Sequence, residues 1–81
     1  MKVNAIECLN CGDTIFSRVR HDMRYCSCGE VAIDGGFNYV KMSAKDPGNC
    51  IVKKISIGQS RKELAQDYNS GLNKYGLIKK V

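Results

Sequence analysis

Tryptophan is absent, histidine and proline occur once each, and aromatic residues make up only 7% of the 81 residues. A chain this short buries only ~60% of the surface it exposes when unfolded, so it has little from which to build a core. It also has no long apolar run. Val31-Ala32-Ile33 is as long as such runs get, far short of the ~20 residues that span a bilayer. No membrane association is expected. The opening stretch Met1–Cys8 has no apolar core of the kind a secretory signal needs, which points to a cytoplasmic protein. The length excludes a Rossmann unit with a substrate domain, a closed α/β barrel and a kinase. There is no G-x-S-x-G, no P-loop and no H-x-E of the zinc deaminases. An enzyme is therefore not expected.

What the chain does have is cysteine. Cys8-Leu9-Asn10-Cys11 and Cys26-Ser27-Cys28 form two close pairs, each followed by glycine, Gly12 and Gly29. The arrangement approaches the spacing of four-cysteine zinc sites. Glycine after each pair allows the positive φ of a tight turn that aims two sulfurs at one ion. Structural zinc supplies on the order of 10–16 kcal/mol of apparent binding energy near neutral pH, which would offset the thin core. Four sulfurs close the coordination sphere, so the site reads as one structural Zn²⁺ held by Cys8, Cys11, Cys26 and Cys28. Disulfides, unbound thiols, a redox Cys8/Cys11 pair and an iron–sulfur cluster are the alternatives. The odd number of cysteines, the strained ring of a Cys26–Cys28 bridge and the missing signal argue against the first. Cys50 stands apart and reads as a small buried hydrophobe.

Residues 3–7 and 13–20 have strand composition. Asp34-Gly35-Gly36 sits between Val31-Ala32-Ile33 and Phe37-Asn38-Tyr39-Val40, a hairpin signal. Residues 1–42 thus read as a zinc-ribbon β unit. Residues 43–50 read as a loop and 51–57 as a strand. Ser60-Arg61-Lys62-Glu63 fits a capping box. Leu64, Tyr68, Leu72 and Tyr75 would then line one helix face, with Gly76 as candidate C-cap and a short frayed tail. The expected fold is small α+β: a four-cysteine zinc ribbon of short antiparallel strands, plus a C-terminal strand and helix (residues 43–81) packed on it as a single domain.

Charge is uneven. Residues 1–40 hold four Lys/Arg against five Asp/Glu, and residues 41–81 hold nine against three, giving the net +5. Such asymmetry suits nucleic-acid or acidic-protein partners. Arg18, Arg20 and Arg24, with Tyr25 and Tyr39, are the candidate binding residues, since Arg and aromatics together stack single-stranded bases. By strand alternation Phe16 shares a face with Arg18 and Arg20. His21 reads as a turn residue with a structural hydrogen bond, not as a ligand or base.

Residues 7–40 resemble a family of small, poorly characterised zinc-ribbon-like proteins of bacteriophage and bacterial genomes. The resemblance lies in Cys8-x₂-Cys11-Gly12, Ser17, Arg20-His21-Asp22, Arg24, Cys26-x-Cys28-Gly29, Asp34-Gly35-Gly36 and Tyr39. It implies a phage-type accessory protein, acting in the host cytoplasm if phage-encoded, and supplies no established activity. Residues 43–81 carry no such resemblance. Two functions follow as expectations. One is a non-enzymatic zinc-binding protein that binds and modulates or inhibits a host or antiviral-defence protein. The other is a nucleic-acid-binding zinc ribbon of transcription or nucleic-acid metabolism.

Overall fold

The first strand, β1 (Lys2–Cys8), is buried on both faces, and the rest of the architecture follows from that. The computed structural model describes residues 2–20, 22–35 and 41–78. In it β1 pairs antiparallel with β2 (Thr14–Ile15) on one side and, over its whole length, with β6 (Cys50–Ser56) on the other. β7 (Leu77–Ile78) adds to β2, giving a four-stranded sheet in the order β6-β1-β2-β7. A second sheet orders β3 (Arg24–Tyr25), β4 (Val31–Asp34) and β5 (Lys41–Ala44).

Successive side chains of a strand point to opposite faces, so β1 serves two cores. Ile6 and Cys8 join Ile15, Cys26, Val31 and Ile33 against the second sheet. Val3 and Ala5 join Phe16 and Leu64, with Ile55, Ile57 and Tyr75 at the margin. Leu64 comes from the helix α1 (Arg61–Ser70), so the first sheet lies between a helix and a smaller sheet. The small α+β class with antiparallel sheets and a C-terminal strand and helix is as expected. No helix among the described residues is long and apolar enough to cross a membrane.

Several expected boundaries move. The strand expected over 13–20 ends at Ile15. Ser17 Oγ–H donates to the carbonyls of Val19 and Asp22 at 2.8 and 2.7 Å, and Asp22 N–H to that of Val19. Such local side-chain bonds turn the chain away from a ladder. β4 pairs with residues 41–44, in the register Val31↔Ala44 to Asp34↔Lys41. Phe37 to Val40, expected to be its partner, lie outside the described residues. The expected loop 43–50 holds the end of β5, a 3₁₀ turn (Pro47–Asn49) and the start of β6.

The capping box is present, with Ser60 Oγ accepting from Glu63 N–H and the Glu63 carboxylate from Ser60 N–H. The helix stops sooner than its apolar spacing implied. Gly71, at φ 74°, is the C-cap, so Leu72 and Tyr75 fall beyond the helix. Gly76 instead accepts the Phe16 N–H and leads into β7, where a frayed tail was expected.

Candidate metal centre

The end of β1 delivers Cys8, and the turn after it brings Cys11 round. Gly12, at φ 80°, donates its N–H to the Cys8 carbonyl at 2.8 Å. The second knuckle repeats the design after β3. Gly29, at φ 76°, donates to the Cys26 carbonyl at 3.0 Å. Val31 N–H points at Cys26 Sγ at 3.4 Å, a donor suited to a thiolate. The knuckles are tied to each other: the Asp13 carboxylate, after the first, accepts the Ser27 N–H of the second at 2.9 Å.

The result is one cluster of sulfurs. Cys26 and Cys28 Sγ lie 3.4 Å apart, Cys8 and Cys28 Sγ 3.6 Å apart. All four sulfurs lie within 4.8 Å of one another. A tetrahedral ion with metal–sulfur bonds of ~2.3 Å needs sulfurs about 3.8 Å apart, so the set fits one four-coordinate metal ion. Cys8 and Cys26 are buried, Cys11 is partly so, and Cys28 is exposed, leaving one side open to an entering ion.

The thiols are not equivalent. Burial, opposed by the backbone N–H groups of Cys11 and Asn10, pushes the Cys8 thiol up to about 12. The side chain of Asn10, reaching across from the first knuckle, is the main cause that brings Cys28 down to about 6, with the Glu30 N–H and the neighbouring thiols helping against burial. Cys28 is thus the thiol readiest to ionise and the buried Cys8 the one that resists it.

The expected binding residues are not brought together. Arg18 was expected on an outward arginine face. It is instead 2% exposed and sits inside the protein. Its guanidinium donates to both carboxylate oxygens of Asp22 (2.7 and 3.1 Å) and to Asp67 at 2.6 Å, and lies over the Tyr68 ring. Phe16, expected on the same strand face, packs in the core with Val3, Ala5 and Leu64, and the strand whose alternation paired it with Arg18 ends at Ile15. Arg20 is exposed. Arg24 and Tyr25 are neighbours on β3 and diverge: Arg24 packs toward Gly76, while Tyr25 is 60% exposed. Tyr39 and His21 lie outside the described residues.

The Arg18–Asp22–Asp67 hub had no sequence signal beyond the residue types, because Arg18 and Asp67 are far apart in the chain. Asp67 is its keystone. Burial disfavours its charge, but the Lys74 N–H, Arg18 and the Tyr75 N–H outweigh that and hold its carboxyl below the ordinary value. Asp22 first, with Asp67 adding to it against burial, raises the Arg18 guanidinium above its own.

The fold and this cluster define a small α+β protein with a four-cysteine candidate metal centre. Residues 1–44 match the family described as a domain of unknown function (DUF7695), and the chain belongs to that family. The matched stretch contains both knuckles and ends with β5. No curated protein and no solved structure matches the chain.

Proposed function

We propose that this is a non-enzymatic binding protein, held together by one structural Zn²⁺ on Cys8, Cys11, Cys26 and Cys28, that docks a partner protein along β6. The observation that carries the docking is the position of β6. It is an edge strand seven residues long, with Ile51 and Val52 exposed and no strand on its outer side among the described residues. Such an edge is a template for strand addition. Lys54, exposed at its centre, selects the occupant, while Lys53 beside it is already ion-paired with Glu7 at 2.6 Å. Two copies of β6 paired antiparallel about this point would set lysines beside lysines, which is unfavourable. An extended acidic segment of another protein suits the edge and the basic second half of the chain. A four-thiolate zinc site leaves no coordination position for a substrate, which supports a structural ion.

The resemblance to small phage and bacterial zinc-ribbon-like proteins supports a host or antiviral-defence protein as the partner. A nucleic-acid-binding role is the second reading. Exposed Tyr25 and Arg20 favour it, and the burial of Arg18 weighs against it. The test is capture of partners from host lysate with and without nuclease. A protein retained at near-equal stoichiometry after nuclease, and lost from a Val52→Glu, Lys54→Glu variant, is expected. Recovery of nucleic acid alone, with affinity falling steeply with salt, would replace the first reading by the second.

A further inference from the structure

Cys50 lies outside the four-sulfur group, yet the β1–β6 register sets it directly opposite Cys8. The hydrogen bonds around the pair show which kind of cross-strand position this is. Cys8 N–H turns away from β6, to the Asp13 carbonyl, while the next N–H, that of Leu9, donates to Asn49, the residue before Cys50. Cys8 and Cys50 are therefore a non-hydrogen-bonded antiparallel pair, the kind whose Cα atoms approach to ~4.5 Å with side chains close together. That separation falls within the range a disulfide spans. Both side chains pack on the same apolar cluster, so they share a face.

Access differs between the two. Cys8 is completely buried. Cys50 is half-buried and lines an open groove between β5 and β6, with Ile6, Met42, Ala44 and Val52. Cys8 does not line that groove, so a small oxidant there meets the Cys50 sulfur. The other four cysteines are occupied as ligands when metal is bound.

We propose that Cys50 is a hydroperoxide-sensitive thiol that, once oxidised, forms a disulfide with Cys8 and so takes a ligand from the metal. The metal-release half of this rests on the zinc reading above; the disulfide does not. In the first step the Cys50 sulfur attacks one peroxide oxygen. An S–O bond forms, the O–O bond breaks, and the leaving oxygen departs as water or an alcohol after taking a proton. In the second the Cys8 sulfur attacks the Cys50 sulfur. The S–S bond forms, the S–O bond breaks, and hydroxide leaves as water with a second proton. The protons come from the two thiols, or from solvent where Cys8 is a metal-bound thiolate. The sulfurs together lose two electrons and the hydroperoxide gains both. The metal is left with three thiolates and a weakened hold.

The test uses the full chain loaded with Zn²⁺ and treated with hydrogen peroxide. Three readouts run in parallel: intact mass, non-reducing tryptic mapping, and zinc released to a chromogenic chelator. The wild type is expected to lose two hydrogens and to yield a link between the peptides Val3–Arg18 and Asp46–Lys53, with fragmentation placing it on Cys8. It should release its zinc in step, and a dithiol reductant should reverse the link. Cys50→Ser and Cys50→Ala should retain zinc under the same treatment. A link confined to the four knuckle cysteines, or release from both Cys50 variants as fast as from wild type, would overturn the proposal. A chain that takes up no zinc overturns the metal reading alone, since the peptide map still decides the disulfide.

Discussion

Asp67, in the last half of α1, accepts a hydrogen bond from Arg18 Nη1 at 2.6 Å, with both side chains almost wholly buried. The same carboxylate takes the N–H groups of Lys74 and Tyr75. One side chain thereby fastens the 17–22 turn and the 72–76 segment to the helix. Removing one partner of a buried ion pair leaves the other charged and unpaired, at a cost of about 3–5 kcal/mol. Arg18→Ala and Asp67→Ala are expected to lose stability in that range in urea titrations, and Arg18→Lys to recover only part of it, because it lacks the planar fork that grips Asp22.

The pH dependence follows from the same residue. The Asp67 carboxyl is held below its ordinary value of 3.8 in the folded protein, so below that value the unfolded state binds the extra proton first. Stability is then fully present above about pH 4 and is lost as the pH falls through the lower folded value. Asp67→Asn is expected to start less stable and to flatten this acid limb. Thermal melts between pH 2 and 6 check it; an acid limb as steep in Asp67→Asn as in wild type would assign it to other carboxylates.

The zinc proposed for the four cysteines makes a separable prediction. Cys8→Ser and Cys26→Ser remove buried sulfurs from a cluster that also closes the Ile6–Ile33 core. Both should bind less than one zinc per chain and lose the cooperative melt, since structural zinc supplies on the order of 10 kcal/mol or more. Cys50→Ser should keep both. Elemental analysis beside circular dichroism decides this, and a fold that survives chelation unchanged would refute a structural role for the ion.

These sites differ in how much of them could be read from the residues alone. The four cysteines and their glycines were legible because each knuckle is local: two sulfurs, one turn and one positive φ within a few residues. The capping box at Ser60 was legible for the same reason. What escaped was set at long range. The apolar spacing Leu64, Tyr68, Leu72, Tyr75 suggested a longer helix. The hydrogen bonds from the Lys74 and Tyr75 N–H groups to Asp67 instead fold that segment back beyond the Gly71 cap. Arg18 looked like a surface residue because its second carboxylate comes from another element. Cys50 looked solitary because only the β1–β6 register puts it opposite Cys8.

The corrected helix boundary can be tested by side-chain truncation. Leu64 is wholly buried against Val3, Ala5 and Phe16, whereas Leu72 is 63% exposed. Leu64→Ala is expected to cost about 2–5 kcal/mol. Leu72→Ala should fall within about 0.5 kcal/mol of wild type, as surface substitutions do. Equal losses at the two positions would restore a continuous buried stripe.

Two glycines of similar conformation should respond differently to a methyl group. Gly29 and Gly76 both have positive φ, 76° and 97°. An alanine at either incurs the left-handed penalty of roughly 1–2 kcal/mol. At Gly29 a Cβ would meet nothing within 4 Å, so that penalty is the whole expected effect on folding. At Gly76 it would stand 2.9 Å from Arg24 Nε and 3.2 Å from the Phe16 carbonyl oxygen. The arginine can swing away, but the Phe16 carbonyl belongs to the backbone leading out of β2, and the Gly76 carbonyl holds the Phe16 N–H. Relief of the clash would pull β7 from β2. Gly76→Ala is therefore expected to be the more destabilising of the two by about 1–3 kcal/mol, the usual cost of overpacking. It should also speed amide exchange at Phe16, while Gly29→Ala leaves that amide protected. Equal stability of the two variants would mean that the β2–β7 junction yields freely.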